Sequence, residues 1–498
     1  MVKIIKYWRA RPVLFFVVIV GLTAAARLAA LFFFEANIGP DEAQYWVWSK
    51  APAFGYYSKP PLIAWVIGAT TALFGDAEWA VRLPAPLFQA GAALYVFALA
   101  RRLYGEAAGF WSGLGWLFLP GVTLSSALIT TDAPLLFFWA AALFYFFSML
   151  RARQSERETF FDAILLGASI GLGFLAKYAM IYFLFGAMLA FFLSRETRRA
   201  FPRRAGLLAL LVAGAVFAPN IWWNAAHNFD TLAHTAANAN WRGSLIHPLN
   251  FLVFLLSQFG VFSIAPMLLL IWGIATLKGR LAEAGPEKGT DLALLAFALT
   301  PLAIVAPEAL ISRAHANWAA AAFPAAIILI TVWALRRGAR WVVVANAGFN
   351  LAVAVVFLIA FSNFAIIDAV GLSSVVKPLR GWQAQGAAVH EAAKGYDAIL
   401  VDDRELMGSL LYYARGGPPI VALNSNRRVD NHYEAFMAYD PDKAPRALFI
   451  GKSADPTAAV AYFGEVMPVG ANAVDLESGR RRTLYLFEVS AYKGAQGG

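Results

Sequence analysis

The sequence contains no cysteine, so it can build neither a disulfide nor a thiolate metal site. Charge is scarce as well: 14% of the 498 residues are Asp, Glu, Lys or Arg, against 60% hydrophobic, and the mean hydropathy is +0.59. A chain of this balance is neither a soluble globule nor a disordered segment. It has no HExxH pair and no glycine-rich phosphate fingerprint, the usual marks of a zinc hydrolase or a nucleotide site. No cofactor or metal is therefore expected. Paired halves of the kind that build secondary transporters are also missing. What is present is a polytopic membrane protein.

Crossing the hydrocarbon core takes roughly 20 apolar residues per helix. Runs of suitable length fall at about 13–34, 83–100, 133–150, 178–193, 205–222, 249–277, 291–311, 317–335 and 341–362, with shorter ones at 106–120 and 160–176. Eleven spans are predicted. The first begins like a signal peptide, but its apolarity continues to Phe34, which reads as an uncleaved helix. Short loops rich in Lys and Arg stay cytoplasmic. Such loops alternate along the chain at Lys3 to Arg11, Arg101–Arg102, Arg151 to Arg157, Arg195 to Arg204, Lys278 to Lys288 and Arg336 to Arg340. This places the N-terminus inside and the C-terminus outside. The net charge of +10 is mostly this topological signal and not a nucleic-acid footprint.

Composition changes near residue 363, dividing the chain into a transmembrane domain over 1–362 and an external domain over 363–498. There WQAQGAAVHEAAK (382–394) and RELMGSLLYYA (404–414) read as helices, and DAILVDD (397–403), PIVAL, RALFIG and RTLYLFEV as strands. About 135 residues can bury a core of their own, so a small α/β domain is predicted, acting as a lid or an acceptor-docking module.

Cations that disobey the topology are informative. Lys50, Lys59, Arg82, Lys177, Arg242 and Arg313 all fall on or near the outer face, where an anionic headgroup would recruit them. Lys50 and Arg82 are expected to snorkel. Lys59, held in Tyr56-Tyr57-Ser58-Lys59-Pro60-Pro61, is read as functional. Arg27 lies inside the first span, either as a site residue or reaching the surface.

The acids cluster on the same side. Asp41 and Glu42 open the segment GPDEAQYWVWSKAPAFGYYSKPP (39–61). Adjacent carboxylates repel, which favours one of them as a base; the alternative is that Asp41 caps a helix beginning at Glu42. Asp132, in TTDAPLL, begins another helix and is read first as a cap, second as a substrate contact. All six histidines fall in outer segments. The loop at 219–247 carries His227, His234, Arg242 and His247, and SRAHANW (312–318) gathers Arg313, His315, Asn317 and Trp318. Arg242, Arg313 and His315 could together read an acidic sugar.

The Asp41–Glu42 pair, Tyr45, the Tyr57-Ser58-Lys59-Pro60-Pro61 segment, VRLPA (81–85), TTDAP (130–134) and FLAKY (174–178), taken in order over roughly residues 13–340, resemble the GT-C membrane glycosyltransferases. More narrowly, the chain resembles the branch of bacterial lipid A aminoarabinose transferases and rhizobial lipopolysaccharide galacturonosyltransferases, near glycosyltransferase families 39 and 83. The resemblance implies an inverting, metal-independent transfer from a polyprenyl phosphate carrier to lipid A, lipopolysaccharide core or a related envelope acceptor. The enzyme would be a monomer in the bacterial inner membrane, with its active site and C-terminal domain periplasmic. A protein mannosyltransferase of the same superfamily is the alternative enzyme, and a lipid or sugar flippase the alternative class. By the same resemblance Asp41 is the general base, with Glu42 and Asp132 beside it in the catalytic set. It also implies that Lys59 holds the carrier phosphate, while Tyr45, Tyr57, Lys177, His234, Arg242, Arg313 and His315, from their place on the outer side, are the further candidates for the donor phosphate or sugar site. Ser58 and Gln44 depart from the aminoarabinose pattern, which carries Glu and a basic residue there, and point to another sugar.

Overall fold

A computed structural model describes residues 11–150, 156–237, 246–424, 429–476 and 479–494. The chain forms two compact units. One contains residues 1–32, 59–63 and 82–358; the other contains 33–58, 64–81 and 359–498.

The first unit is helical. Among the described residues seven helices are long and apolar enough to cross a membrane: Pro12–Leu31, Glu78–Tyr104, Glu156–Ala176, Arg203–Ala226, Gly285–Ile311, Ala316–Arg336 and Arg340–Ser362. Two further apolar runs are broken. Glu106–Leu117 and Pro120–Ala127 bend by 54°, and Pro248–Val261 and Ile264–Ala275 by 115°. The expected spans at 106–120 and 249–277 are thus not single rods. Asp132–Ser148 and Tyr178–Leu193 are shorter apolar helices; a third, Leu62–Phe74, lies mostly in the second unit and was not among the predicted runs.

Both breaks free backbone groups that need partners in a lipid environment. Arg27 supplies them at the first break. Its guanidinium donates to the Leu117 carbonyl at 2.6 Å, to Ser126 Oγ at 3.0 Å and to Thr123 Oγ1 at 3.3 Å, and the side chain is buried. The expectation that it reaches the surface is corrected: its hydrogen-bonding capacity is spent on the bend. At the second break Ser263 adopts φ +71°, a region unfavourable to a side-chain-bearing residue, and its hydroxyl donates to Asn350 Oδ1 at 2.8 Å. Arg82 is also buried and does not snorkel. Helices approach closely where glycine allows it: a Cβ on Gly167 would lie 2.3 Å from the Ala209 carbonyl, so Glu156–Ala176 and Arg203–Ala226 pack backbone to backbone.

The second unit carries a five-stranded sheet in the order β2-β1-β3-β5-β4, formed by β1 Ala398–Val401, β2 Ile420–Ala422, β3 Ala447–Gly451, β4 Phe463–Asp475 and β5 Arg481–Tyr492. β2, β1 and β3 run parallel, and β5 joins β3 and β4 antiparallel. The parallel strands are continuous apolar runs because both faces are covered: β1 and β3 are buried throughout. Helices Trp382–Ala392 and Arg404–Tyr413 contribute Val389, Leu406 and Leu410 to one core, while Phe449, Phe463 and Phe487 lie in the other. β4 escaped the sequence reading. It is a largely exposed edge strand with a register shift between Pro468 and Gly470, the positions at which sheets tolerate these residues.

Candidate active site

In the second unit the helix Pro40–Ser49 carries the acid pair. Its N-cap is Gly39 and Pro40 is its first residue, an arrangement the fixed φ of proline favours. Glu42 is then the third helical residue, and its Oε2 accepts the Gly39 N–H at 3.0 Å, one half of a capping box. Asp41 does not cap. Neighbouring helical residues project about 100° apart, so the two carboxylates diverge. Glu42 is buried, whereas Asp41 has 65% of its side chain exposed and pairs with Arg404. Both the capping role for Asp41 and the picture of two repelling acids are corrected: each carboxylate has its own donor.

The aromatic segment after the pair is largely scaffold. Trp48 stacks on Tyr56 at 4.8 Å. The Tyr56 hydroxyl lies 2.9 Å from the Trp48 carbonyl and 3.1 Å from that of Ala51, and it accepts the Ala53 N–H. Burial pushes the Tyr56 hydroxyl up to about 12. Tyr45 is buried, with its ring against Trp48, and Tyr57 donates to the Val429 carbonyl at 2.6 Å. Lys50 forms an ion pair with Asp76, which also accepts Trp46 Nε1 at 2.8 Å. Burial opposes ionisation of Asp76, but these two donors outweigh it and hold the carboxyl below its usual range. Lys50 is therefore a loop clamp and not a snorkelling cation.

In the first unit Asp132 is the first residue of the helix Asp132–Ser148, behind Thr131, and makes no side-chain cap. Its carboxylate instead accepts Lys177 Nζ at 2.7 Å and Asn317 Nδ2 at 2.6 Å. Three segments, TTDAP, FLAKY and SRAHANW, thus meet at one nearly buried carboxylate. The capping reading is overturned because the first-turn geometry turns the side chain toward two outside donors. Lys59 is half-buried. Arg313 is exposed, and His315 lies edge-on to Trp318 at 5.3 Å. His227 stacks on Trp223 at 4.0 Å, with Nδ1 2.8 Å from the Trp223 carbonyl. Arg242 and the side chain of His234 lie outside the described residues.

Sequence reading missed two partners, Asn317 and Arg404. Asn317 was in view within SRAHANW but without a role. Nothing local marks Arg404, which is 363 positions from Asp41.

The family of dolichyl-phosphate-mannose-protein mannosyltransferases matches residues 58–223. A lipid A galacturonosyltransferase, RgtD of Rhizobium johnstonii, is 31% identical over 479 residues, which is 93% of this chain and 96% of RgtD. The chain belongs to the GT-C membrane glycosyltransferases. Solved structures agree on this GT-C fold. ArnT from Cupriavidus metallidurans in the apo state superposes with a TM-score of 0.67 at 17% identity, over 96% of this chain and 98% of ArnT. The same protein bound to undecaprenyl phosphate gives 0.64, at 17% identity over 96% and 97%. The oligosaccharyltransferase AglB from Archaeoglobus fulgidus gives 0.51 at 12% identity, over 96% of this chain and 74% of AglB. These structural likenesses establish the fold alone. The GT-C enzyme described here is a helical membrane protein with a small α/β domain at its C-terminal end.

Proposed function

We propose that this glycosyltransferase moves a uronic acid from a polyprenyl phosphate carrier to lipid A, working as a single chain at the periplasmic face of the bacterial inner membrane. In this reading residues 1–362 form the transmembrane catalytic domain and 363–498 the periplasmic one. The observation that carries the reading is the identity with RgtD, a lipid A galacturonosyltransferase, over nearly the whole of both chains. The departures at Ser58 and Gln44 from the aminoarabinose pattern agree with a sugar other than aminoarabinose. That ArnT has been seen with undecaprenyl phosphate supports the carrier class.

The roles follow from chemistry. A sugar hydroxyl of the acceptor attacks the anomeric carbon; the new C–O bond forms as the bond to the carrier phosphate breaks. Asp41, exposed and on the first turn of its helix, takes the hydroxyl proton. The carrier phosphate departs with its negative charge, which Lys59 holds. Glu42 is committed to the Gly39 N–H and serves the helix that presents Asp41. The Asp132–Lys177–Asn317 group is assigned to shaping the donor side, with Arg313 and His315 as cationic contacts for the uronate.

Mass spectrometry of lipid A and core from a strain lacking the protein tests the reading. Lipid A should lose one uronosyl residue, restored by the wild-type gene. Intact lipid A together with loss of protein-linked sugar would favour the mannosyltransferase alternative.

A further inference from the structure

We infer that Arg404, on the α/β fold near the C-terminus, is the positioning residue for the Asp41 carboxylate. This rests on the reading of Asp41 as the base. Arg404 is the first residue of the helix Arg404–Tyr413, whose start is fixed on both sides: Asp403 Oδ1 accepts the Leu406 N–H at 2.7 Å, and Asp403 Oδ2 accepts Lys452 Nζ, just beyond β3, at 2.8 Å. A cation in the first turn of a helix opposes the helix dipole. The ion pair it makes with Asp41 is also exposed, with 40% and 65% of the two side chains in solvent, and such pairs contribute little to stability. An arginine set against the helix field for so small a stabilising return has its use elsewhere.

The frame around it is stiff. A Cβ on Gly408 would lie 2.9 Å from the Tyr433 hydroxyl and 3.2 Å from the Pro40 carbonyl. The helix bearing Arg404 therefore approaches the start of the helix bearing Asp41 at backbone distance. Tyr433 is buried beneath, its hydroxyl without a hydrogen-bond partner among the described residues. Arg404 engages Oδ1 of Asp41, which orients the carboxylate and leaves Oδ2 for the acceptor proton. On this view the C-terminal fold is part of the catalytic machinery.

The test uses the full-length enzyme in lipid nanodiscs, with polyprenyl phosphate-linked uronate and lipid A as substrates. Arg404→Gln should lower kcat on the order of a hundredfold, as a misoriented base does, with donor KM and thermal melting unchanged. Arg404→Lys should recover part of the rate. Arg404→Gly should be reactivated by added guanidinium and not by sodium chloride at equal ionic strength, and Arg404→Gln should cause no further loss in Asp41→Asn. Normal kcat in Arg404→Gln beside an inactive Asp41→Asn overturns the inference and leaves the base reading standing. Lost activity with a lowered melting temperature and no guanidinium rescue marks a structural ion pair and also overturns it. An active Asp41→Asn instead removes the base reading itself.

Discussion

The Lys177 ammonium donates to Asp132 Oδ1 at 2.7 Å, with only 16% and 8% of the two side chains exposed. Removing one partner of a buried pair strands the other charge and costs about 3 to 5 kcal/mol, whereas replacing both is often neutral. Lys177→Met should therefore melt well below wild type in detergent, and Lys177→Met combined with Asp132→Asn should regain most of the loss without regaining transfer. Equal melting of the single and double variants would mean that the pair carries no stability. Full transfer by the double variant would remove it from the donor side.

Glu42 and Asp41 are predicted to part company on mutation. Glu42→Gln keeps an oxygen that can accept the Gly39 N–H, so fold and transfer should stay near wild type. Glu42→Ala loses the contact and should destabilise by about 1 kcal/mol. Abolished transfer in a stably folded Glu42→Gln would make Glu42 the base.

For Lys59 the expected defect is in donor use. Loss of a charge-assisted contact to phosphate costs about 1.5 to 3 kcal/mol, so Lys59→Ala should raise the donor KM by roughly ten- to a hundredfold and leave acceptor KM alone. Unchanged kinetics with purified lipid-linked donor would take the residue out of the site.

His432 predicts an acid sensitivity. Its ring lies among Trp48, Tyr56 and Phe436, and burial pushes it down to about 4 from the ordinary 6.5. Between those values the unfolded chain binds a proton that the folded chain refuses, so stability rises with pH across that window. It is fully present above about 6.5 and lost as pH falls toward 4, by at most about 3 kcal/mol. His432→Phe should flatten melting temperature between pH 6.5 and 4.5. A wild-type slope in that variant would assign the sensitivity to other groups.

Where the sequence was legible, the signal was length and apolarity. Each of the eleven runs is helical over most of its length, two of them as bent pairs, and so are the two C-terminal segments placed before and after DAILVDD. The breaks were missed because mean hydropathy stays high across Phe118–Leu119 and on both sides of Ser263, which masks the breaking signals of Pro120–Gly121 and Pro266; the backbone shows the bends that Arg27 and Asn350 complete. The capping box at Gly39–Glu42 was readable in principle from Pro40 and the acid three residues past Gly39, yet glycine at the N-cap hid the usual Ser or Thr signature. Asp132 looked like a cap for the opposite reason: position and residue type fitted, and only tertiary partners redirected the side chain. Arg404 lies beyond any local pattern, since the pairing depends on how the α/β fold meets the segment 33–58 within one compact unit.

The most direct test of the account is donor binding and sugar transfer by purified Asp41→Asn with a polyprenyl phosphate-linked uronate and lipid A. Asparagine keeps the size of Asp41 and cannot take the proton, and Asp41 is not the helix cap, so the variant should fold and insert normally. The account predicts wild-type donor affinity with transfer reduced roughly a hundredfold to ten-thousandfold. Turnover near wild type in Asp41→Asn would contradict it.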